Sequence, residues 1–240
     1  MNLLERASFA PAAAAAALLS ACTTLPPTAA VPDPPAYRAL GQEPAWLLRV
    51  AGRYLVLDRL GHPSQSAAIT AQRPLFDGRR IDAAAPSGRW WVEILPGLCR
   101  DTMSGMPYPE RVVLHGAAAA PLRGCGGEPA SLLAGAWRVV EIAGAAPVAG
   151  SAPTIDVDTA AARIAGGTGC NRFSAAYVLS GESLRLSTPV ATRKACAGAL
   201  DRQEQALLAL LAGVAHHDFT PDGALVLVGA QGKRLVARRR

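Results

Sequence analysis

The sequence is poor in aromatic residues, which make up 5% of it. The apolar stretch Ala7 to Ala21 is shorter than the roughly 20 residues that a retained transmembrane helix needs. The sequence also lacks a P-loop, a Gly-x-Gly-x-x-Gly turn after a strand, a His-Glu-x-x-His motif and a paired Cys-x-x-Cys motif. These absences argue against a nucleotide site and a zinc site, so neither a cofactor nor a metal is expected.

The basic residues, nearly all of them arginine, are spread along the chain rather than gathered in one stripe. Residues 22–127 carry 11 basic and 8 acidic groups, and residues 128–240 carry 12 and 9, so each half has a small positive charge. The tail Arg238 to Arg240 is a cluster, which we interpret as a solvated end that can touch anionic lipid or a polyanionic cell-wall polymer. Nucleic acid is therefore not an expected partner.

The most informative segment lies near the amino end, where Ala12 to Ala17 are followed by Leu18-Leu19-Ser20-Ala21-Cys22. This order predicts a lipoprotein signal peptide of residues 1–21, cleaved before Cys22, which then becomes the acylated first residue and carries palmitate. The alternative is a cytosolic protein with an alanine-rich helix, but Pro11 and the proline-rich sequence after Cys22 argue against it. Because Thr23 rather than Asp follows Cys22, we expect the lipid to hold the protein at the outer membrane, facing the periplasm.

The five cysteines are consistent with this location. Acylation uses Cys22 and leaves an even number of thiols in an oxidising compartment. The order along the chain favours a Cys99–Cys125 disulfide and a Cys170–Cys196 disulfide, one in each half. The two other pairings would join the halves and are less favoured.

Residues 22–36 are rich in proline and small residues, which predicts an extended tether. Residues 37–127 follow as a first β-rich unit, in which Ala51-Gly52 predicts a hairpin turn and no helix is expected. Its connections are short, so the strands are predicted to be antiparallel. The candidate strands are Trp46–Val50, Tyr54–Leu57, Trp90–Leu95, Arg111–His115 and Leu122–Cys125.

Residues 130–240 form a second unit with strands and one helix. Asp201 and Glu204 predict a capping box at the start of the helix, and Gly213 predicts its end. The fold class is thus α+β, mostly β, with two small antiparallel domains and one helix packed on the second sheet. The candidate strands are Trp137–Ile142, Thr154–Val157, Phe173–Leu179, Leu184–Leu186, Ala224–Val228 and Arg234–Ala237.

Several separated motifs of the second unit occur in the order typical of one family. They are AGGTGCNRFS at 165–174, ATRKAC at 191–196, Gln203-Glu204, Gly135-Ala136-Trp137 and Pro153-Thr154-Ile155. By these motifs residues 130–240 resemble a META domain, the module of HslJ-type bacterial lipoproteins. The resemblance implies a small antiparallel sheet or open barrel with one packed helix, a place in the cell envelope and no established enzymatic activity.

The first unit carries Leu40 to Trp46, Cys99 to Ser104 and Tyr108-Pro109. These residues resemble an uncharacterised envelope domain that is often fused to META domains. An aromatic residue is common before the tryptophan in that family, and Ala45 stands there in this chain. The resemblance implies no chemistry for this unit.

Two loops supply the candidate binding residues. The first loop contains Asp101, Met103, Ser104 and Tyr108, and its unusual composition indicates a possible binding loop. We favour the alternative interpretation, in which the loop is a turn and Asp101 accepts backbone hydrogen bonds. The second is the glycine-rich loop with Asn171 and Arg172 beside Cys170. A nucleophilic Cys170 would need a nearby base, so the disulfide is favoured there. Gly166 to Gly169 are expected to form a tight turn beside that disulfide.

Two pairs of neighbouring residues are constrained by strand geometry, because neighbours on a strand point to opposite faces. His216 and His217 therefore cannot readily hold one metal together. Trp90 and Trp91 must also face opposite sides, so one of them can line a surface groove.

The favoured function is a non-enzymatic accessory role in envelope assembly or stress tolerance, exerted through contacts with envelope proteins. A second hypothesis is a carrier that holds a lipid or a small apolar ligand inside an open barrel. The third and least favoured hypothesis is a hydrolase that uses Asp101 or a histidine.

Overall fold

The computed structural model describes residues 37–181 and 183–240, so the predicted signal peptide, Cys22 and the tether lie outside the described residues. Within these two ranges no helix has both the length and the apolar character needed to cross a bilayer. The strands form a closed eight-stranded barrel followed by a nine-stranded sheet. The mostly β fold class with a packed helix is thereby confirmed.

The barrel is built from eight antiparallel strands, each hydrogen-bonded to the next. They are β1 Arg38–Gln42, β2 Ala45–Ala51, β3 Tyr54–Arg59, β4 Gln65–Leu75, β5 Gly78–Ala85, β6 Gly88–Arg100, β7 Pro107–His115 and β8 Leu122–Gly126. Strand β1 closes the barrel by pairing with β8 at Ala39–Gly126 and Leu40–Cys125. The interior is a packed core whose larger members are Trp46, Leu48, Leu55, Leu57, Ile81, Trp90, Val92, Ile94, Val112 and Leu114.

The predicted hairpin around Ala51-Gly52 is confirmed, because β2 and β3 pair directly across it. Strands β1, β4 and β5 were not predicted. Their sequences are rich in alanine, arginine and glutamine, and such residues give a weak strand signal because few of them are β-branched or aromatic. The neighbours impose the strand conformation here by offering hydrogen-bond partners on both sides.

Closure of the barrel depends on glycines around Trp46. The indole Nε1 of Trp46 donates to the backbone oxygen of Arg123 at 3.3 Å, which places the ring across the β1–β8 seam. A Cβ at Gly41 would collide with that indole, and one at Gly124 would collide with the backbone oxygen of Leu40 and lie 2.7 Å from the ring. Side chains are excluded at these positions because the two strands and the indole share the space.

The second sheet contains nine strands. They are β9 Gly135–Ile142, β10 Thr154–Asp158, β11 Arg163–Gly167, β12 Arg172–Leu179, β13 Leu184–Leu186, β14 Val190–Ala191, β15 His216–Phe219, β16 Leu225–Val228 and β17 Arg234–Arg239. The order is β13-β12-β11-β10-β9-β17-β16-β15, with β14 also paired to β12. Leu184 N donates to Ala215 O at 3.0 Å, so the two outer strands approach each other and the sheet nearly closes.

Two α-helices and a short 3-10 helix, Ala230–Gly232, accompany the second sheet in the part of the chain that the structure describes. The α-helices are α1 Ala130–Leu133 and α2 Gly198–Ala212. Helix α2 packs Leu207 and Leu211, both fully buried, against the core of the sheet. Gly213 ends α2 as predicted, since its backbone N–H bonds back to the carbonyls of the last turn.

The predicted capping box was wrong. Helix α2 begins three residues before Asp201, and its N-cap is Ala197, which makes no side-chain cap hydrogen bond. Glu204 points away from the helix start and bonds to Thr168 and Asn171. The prediction of a turn over Gly166 to Gly169 was also partly wrong, because Gly166 and Gly167 belong to β11.

We expect Gly124→Ala to lower the free energy of unfolding by about 1–3 kcal/mol, because the added methyl group must push β1 or Trp46 out of place. The measurement is urea unfolding followed by tryptophan fluorescence. Gly167→Ala is the matched control, since an added Cβ there would have its nearest neighbour at 3.7 Å. Equal midpoints for the two variants would show that the seam tolerates a side chain.

Candidate functional site

A groove on the outer surface of the barrel is the candidate functional site. The register of strand β6 against β7 shifts between Pro96 and Cys99, around Gly97, and beyond this irregularity Cys99 and Arg100 still pair with Tyr108 and Pro107 of β7. A disulfide and a hydrogen bond then tie this end of β6 and the turn after it to β8 and β1. We call Cys99 to Thr102 the strap and the space beneath it the strapped groove. The groove has a volume of about 360 Å³ and is lined by residues that include Leu40, Gln42, Arg111, Val113 and Arg123. Small-ligand sites start at roughly this size.

Besides its pairing with β7, the strap is attached to two other strands of the barrel. The Cys99–Cys125 disulfide joins it to β8, with the Cα atoms 5.5 Å apart. Gln42 Nε2 donates to Asp101 Oδ1 at 2.9 Å and joins the strap to β1. The groove between these attachments is therefore held open by a covalent bond and a hydrogen bond.

Asp101 is the residue that shapes the end of the strap. Its Oδ2 accepts hydrogen bonds from the backbone N–H of Ser104 at 2.9 Å and from the Ser104 hydroxyl at 2.6 Å. Burial alone would raise the pKa of this carboxyl group, but the hydrogen bonds from Ser104 and Gln42 hold the pKa below its ordinary value. Asp101 is a charged turn residue whose oxygens are already engaged, which agrees with the favoured sequence interpretation.

The other residues of this candidate loop are placed differently. Met103 is exposed at the tip and Tyr108 is half-buried at the start of β7, opposite Cys99. Burial, and secondarily the charge of Asp101, raises the pKa of the Tyr108 hydroxyl. Only Asp101 of the predicted loop residues lines the strapped groove.

The strap also connects the barrel with the second sheet. Arg100 donates from Nε to Asp218 Oδ1 at 2.9 Å and from Nη2 to the backbone oxygen of Phe219 at 2.7 Å. Leu98 packs against the core of the second sheet. The segment that covers the groove is thus bonded to strand β15 on its far side.

Asn171 belongs to a different cluster, which we call the Asn171 network. Its Nδ2 donates to Lys194 O and Glu204 Oε1, both at 3.0 Å, and its Oδ1 accepts from Thr192 Oγ1 at 2.7 Å. Thr168 is fully buried and donates to Glu204 Oε2 at 2.5 Å. Because its polar groups are bonded to one another, we interpret the network as structural.

The disulfide between Cys170 and Cys196 lies beside this network, with the pairing predicted from the sequence. Glu204 lies close to both sulfur atoms, but a bonded pair of sulfurs offers no thiolate to a metal or a substrate. Arg172, the last of the predicted binding residues, is exposed, and its backbone N–H donates to Thr192 Oγ1 at 3.2 Å.

His217 is buried on strand β15, 3% exposed, and its ring meets Phe219 edge-on at 5.9 Å between centroids. Among the residues that the structure describes, neither ring nitrogen has a hydrogen-bond partner. Burial lowers the pKa of His217 to about 4, with Asp218 opposing this shift and His216 adding to it. A buried, neutral imidazole of this kind contributes to the core and is not positioned to act on a substrate.

The tryptophan prediction is confirmed for the pair on β6. Trp90 is buried in the barrel, whereas Trp91 faces outward, stacked on His115 with 4.7 Å between ring centroids. The arginines and apolar residues of the strapped groove were not singled out from the sequence. Their only sequence signal is alternation along β7 and β8, which becomes informative once the strap is known to cover that face.

Comparison with known proteins supports the resemblance of the second half. The META domain family model matches residues 130–240, which is less than half of the chain and includes the Asn171 network. One solved structure, described as the NMR structure of the protein from Burkholderia xenovorans, is 26% identical; the match covers 47% of this chain and 88% of that chain, with a TM-score of 0.40. No curated protein matches the chain. The strapped groove lies outside the matched range.

The burial of His217 predicts a loss of stability in acid. Its pKa in the folded state lies below the ordinary value of 6.5, so the stabilisation is complete above pH 6.5 and is lost as the pH falls towards 4. We expect wild type to lose about 3 kcal/mol over this window relative to His217→Leu. Urea unfolding between pH 7 and pH 4 measures the difference. His62→Gln, at an exposed position on the barrel, should behave as wild type. An acid loss unchanged in His217→Leu would contradict the assignment.

Proposed function

We propose that this protein is a lipid-anchored envelope protein with a non-enzymatic accessory role, and that it acts by binding at the strapped groove. The proposal rests on the strapped groove, because this cavity lies beneath a segment, the strap, that the Cys99–Cys125 disulfide holds in place. The lipobox ending at Cys22 and the META match of the second half support a place in the envelope.

The states of the candidate catalytic residues support a non-enzymatic role. Cys170 is bonded to Cys196. The oxygens of Asp101 accept hydrogen bonds from Gln42 and Ser104. His217 is buried in the core. Each group is therefore engaged in holding the fold, and none of the three presents a free nucleophile or base to a cavity.

A carrier that binds a lipid or an apolar ligand is the second candidate function. The interior of the barrel is occupied by its own side chains, including Trp46, Trp90 and five leucines. The same holds for the second sheet, whose inner face packs against α2. A carried ligand would therefore bind at the outer groove, so the two functions share one site and differ in the ligand.

The anchor is tested by metabolic labelling with an alkyne analogue of palmitate. We expect the wild-type chain to be labelled and to sediment with outer membranes, and Cys22→Ser to lose both the label and the membrane attachment. Thr24→Ser, two residues away, should leave both unchanged. Equal labelling of wild type and Cys22→Ser would overturn the lipoprotein assignment.

The groove is tested by crosslinking in the cell. A photoreactive phenylalanine analogue replaces Thr102, an exposed residue on the strap that lines the groove. We expect a discrete adduct at this position and none at Val178, an exposed apolar residue of the second sheet that serves as the control. The same adducts at both positions, or none at 102, would count against the groove as the binding site.

A further inference from the structure

Two arginines lie side by side on the floor of the strapped groove. Arg111 on β7 pairs with Cys125 on β8, and Val113 pairs with Arg123, so the two arginines are diagonal neighbours on one face of the sheet. Diagonal neighbours have Cα atoms about 7–8 Å apart, within reach of each other for long side chains. The guanidinium of Arg111 lies against the irregular part of β6: its Nη2 is 3.4 Å from the point where a Cβ would lie if Gly97 carried a side chain. Both arginines line the cavity.

Among the described residues, none forms an ion pair or a hydrogen bond with the guanidinium of Arg111 or of Arg123. The groove contains two carboxylates, Asp101 and Glu43. The oxygens of Asp101 are engaged by Gln42 and Ser104, and Glu43 lies exposed in the turn after β1. Two neighbouring positive charges repel each other, and an anion between them would relieve that repulsion while accepting forked hydrogen bonds.

Arg100, the third arginine of the groove, differs from these two because its guanidinium has hydrogen-bond partners. Asp218 and the carbonyl of Phe219 already satisfy its guanidinium. Arg111 and Arg123 are therefore the two free cations of the site among the described residues, and both project from the sheet rather than from the strap. They are placed to bind a ligand without disturbing the contact between the strap and the second sheet.

Another part of the groove wall is apolar. Leu40 and Val113 are half-buried. Leu40 pairs with Cys125, and Val113 is the diagonal neighbour of Cys125 on β7. All three residues line the groove. A bare inorganic anion would leave this surface in contact with water. A ligand that places a short hydrocarbon portion here and an anionic group between the arginines satisfies both halves of the site.

We propose that the strapped groove binds a small amphiphilic anion, a carboxylate or phosphate ester joined to a short apolar portion. This inference rests on the proposed function in one respect, namely that the groove is a binding site, and it adds the chemical class of the ligand. A pair of arginines can bind a carboxylate and a phosphate in the same way. The structure therefore leaves both anionic groups open, and the experiment below distinguishes them.

The test uses the full-length chain in lipid nanodiscs and saturation-transfer difference NMR. The probes are hexanoate and hexyl phosphate. Hexanol, which lacks the anionic group, and inorganic phosphate, which lacks the hydrocarbon portion, are the control probes. We expect both amphiphilic anions to bind and to compete with each other, and the tighter of the two identifies the source. Arg111→Gln and Arg123→Gln should each weaken binding about tenfold or more. Arg53→Gln, at an exposed position on the same barrel, should bind as wild type, and equal thermal midpoints exclude misfolding.

The remaining outcomes are each decisive. Hexanol that binds as tightly as hexanoate, with loss in Val113→Gln but not in the arginine variants, would keep the groove as a binding site and overturn the anionic class. Inorganic phosphate that binds as tightly as hexyl phosphate would overturn the apolar half. If none of the probes shows transfer, or if binding survives in all three groove variants, the ligand class is wrong. In that case the crosslinking at position 102 decides separately whether the groove binds anything.

Discussion

The pairing of β1 with β8 is the constraint on which the rest of the barrel depends. It brings the first and last strands together at Leu40 and Cys125, and it is possible only because Gly41 and Gly124 leave room for the Trp46 indole. Once the seam is closed, Leu40, Cys125 and Arg111 follow one another across the outer face. The groove is built on that face, so its floor exists because the barrel is closed.

The strongest local signals made a large part of the fold predictable. The hairpin at Ala51-Gly52 and the end of helix α2 at Gly213 follow from turn chemistry that acts over a few residues. The disulfide pairing followed from the order of the cysteines and the oxidising compartment expected from the sequence. Strands β4 and β5 were not predicted from the sequence, because their residues have little intrinsic strand preference. Their conformation is imposed by pairing with β3 and β6. The predicted capping box was wrong because the helix begins earlier, at Gly198, and because Glu204 bonds to Thr168 and Asn171, which are distant in sequence.

The candidate site was harder to predict than the fold. Asp101 stood out because its loop has an unusual composition, and the structure places it at the edge of the groove as a shaping residue. Arg111 and Arg123 gave no sequence signal of their own, because arginines alternating with apolar residues are ordinary on the solvent face of a strand. The two arginines can be recognised as part of a candidate site only once the strap is known to cover them. The strap in turn depends on the register shift around Gly97 and on contacts between residues far apart in the chain.

The two disulfides have the same sequence separation, 26 residues, but opposite consequences for the space beside them. Cys170–Cys196 lies beside the Asn171 network, in which the polar groups of Thr168, Asn171 and Glu204 are bonded to one another. Such a cluster offers little to a ligand, because any new contact must break one that exists. Cys99–Cys125 instead holds a strap over a surface on which two arginines have no ion-pair partner among the described residues. A ligand there gains interactions without displacing any, which is why the barrel rather than the META-like half is where we locate recognition.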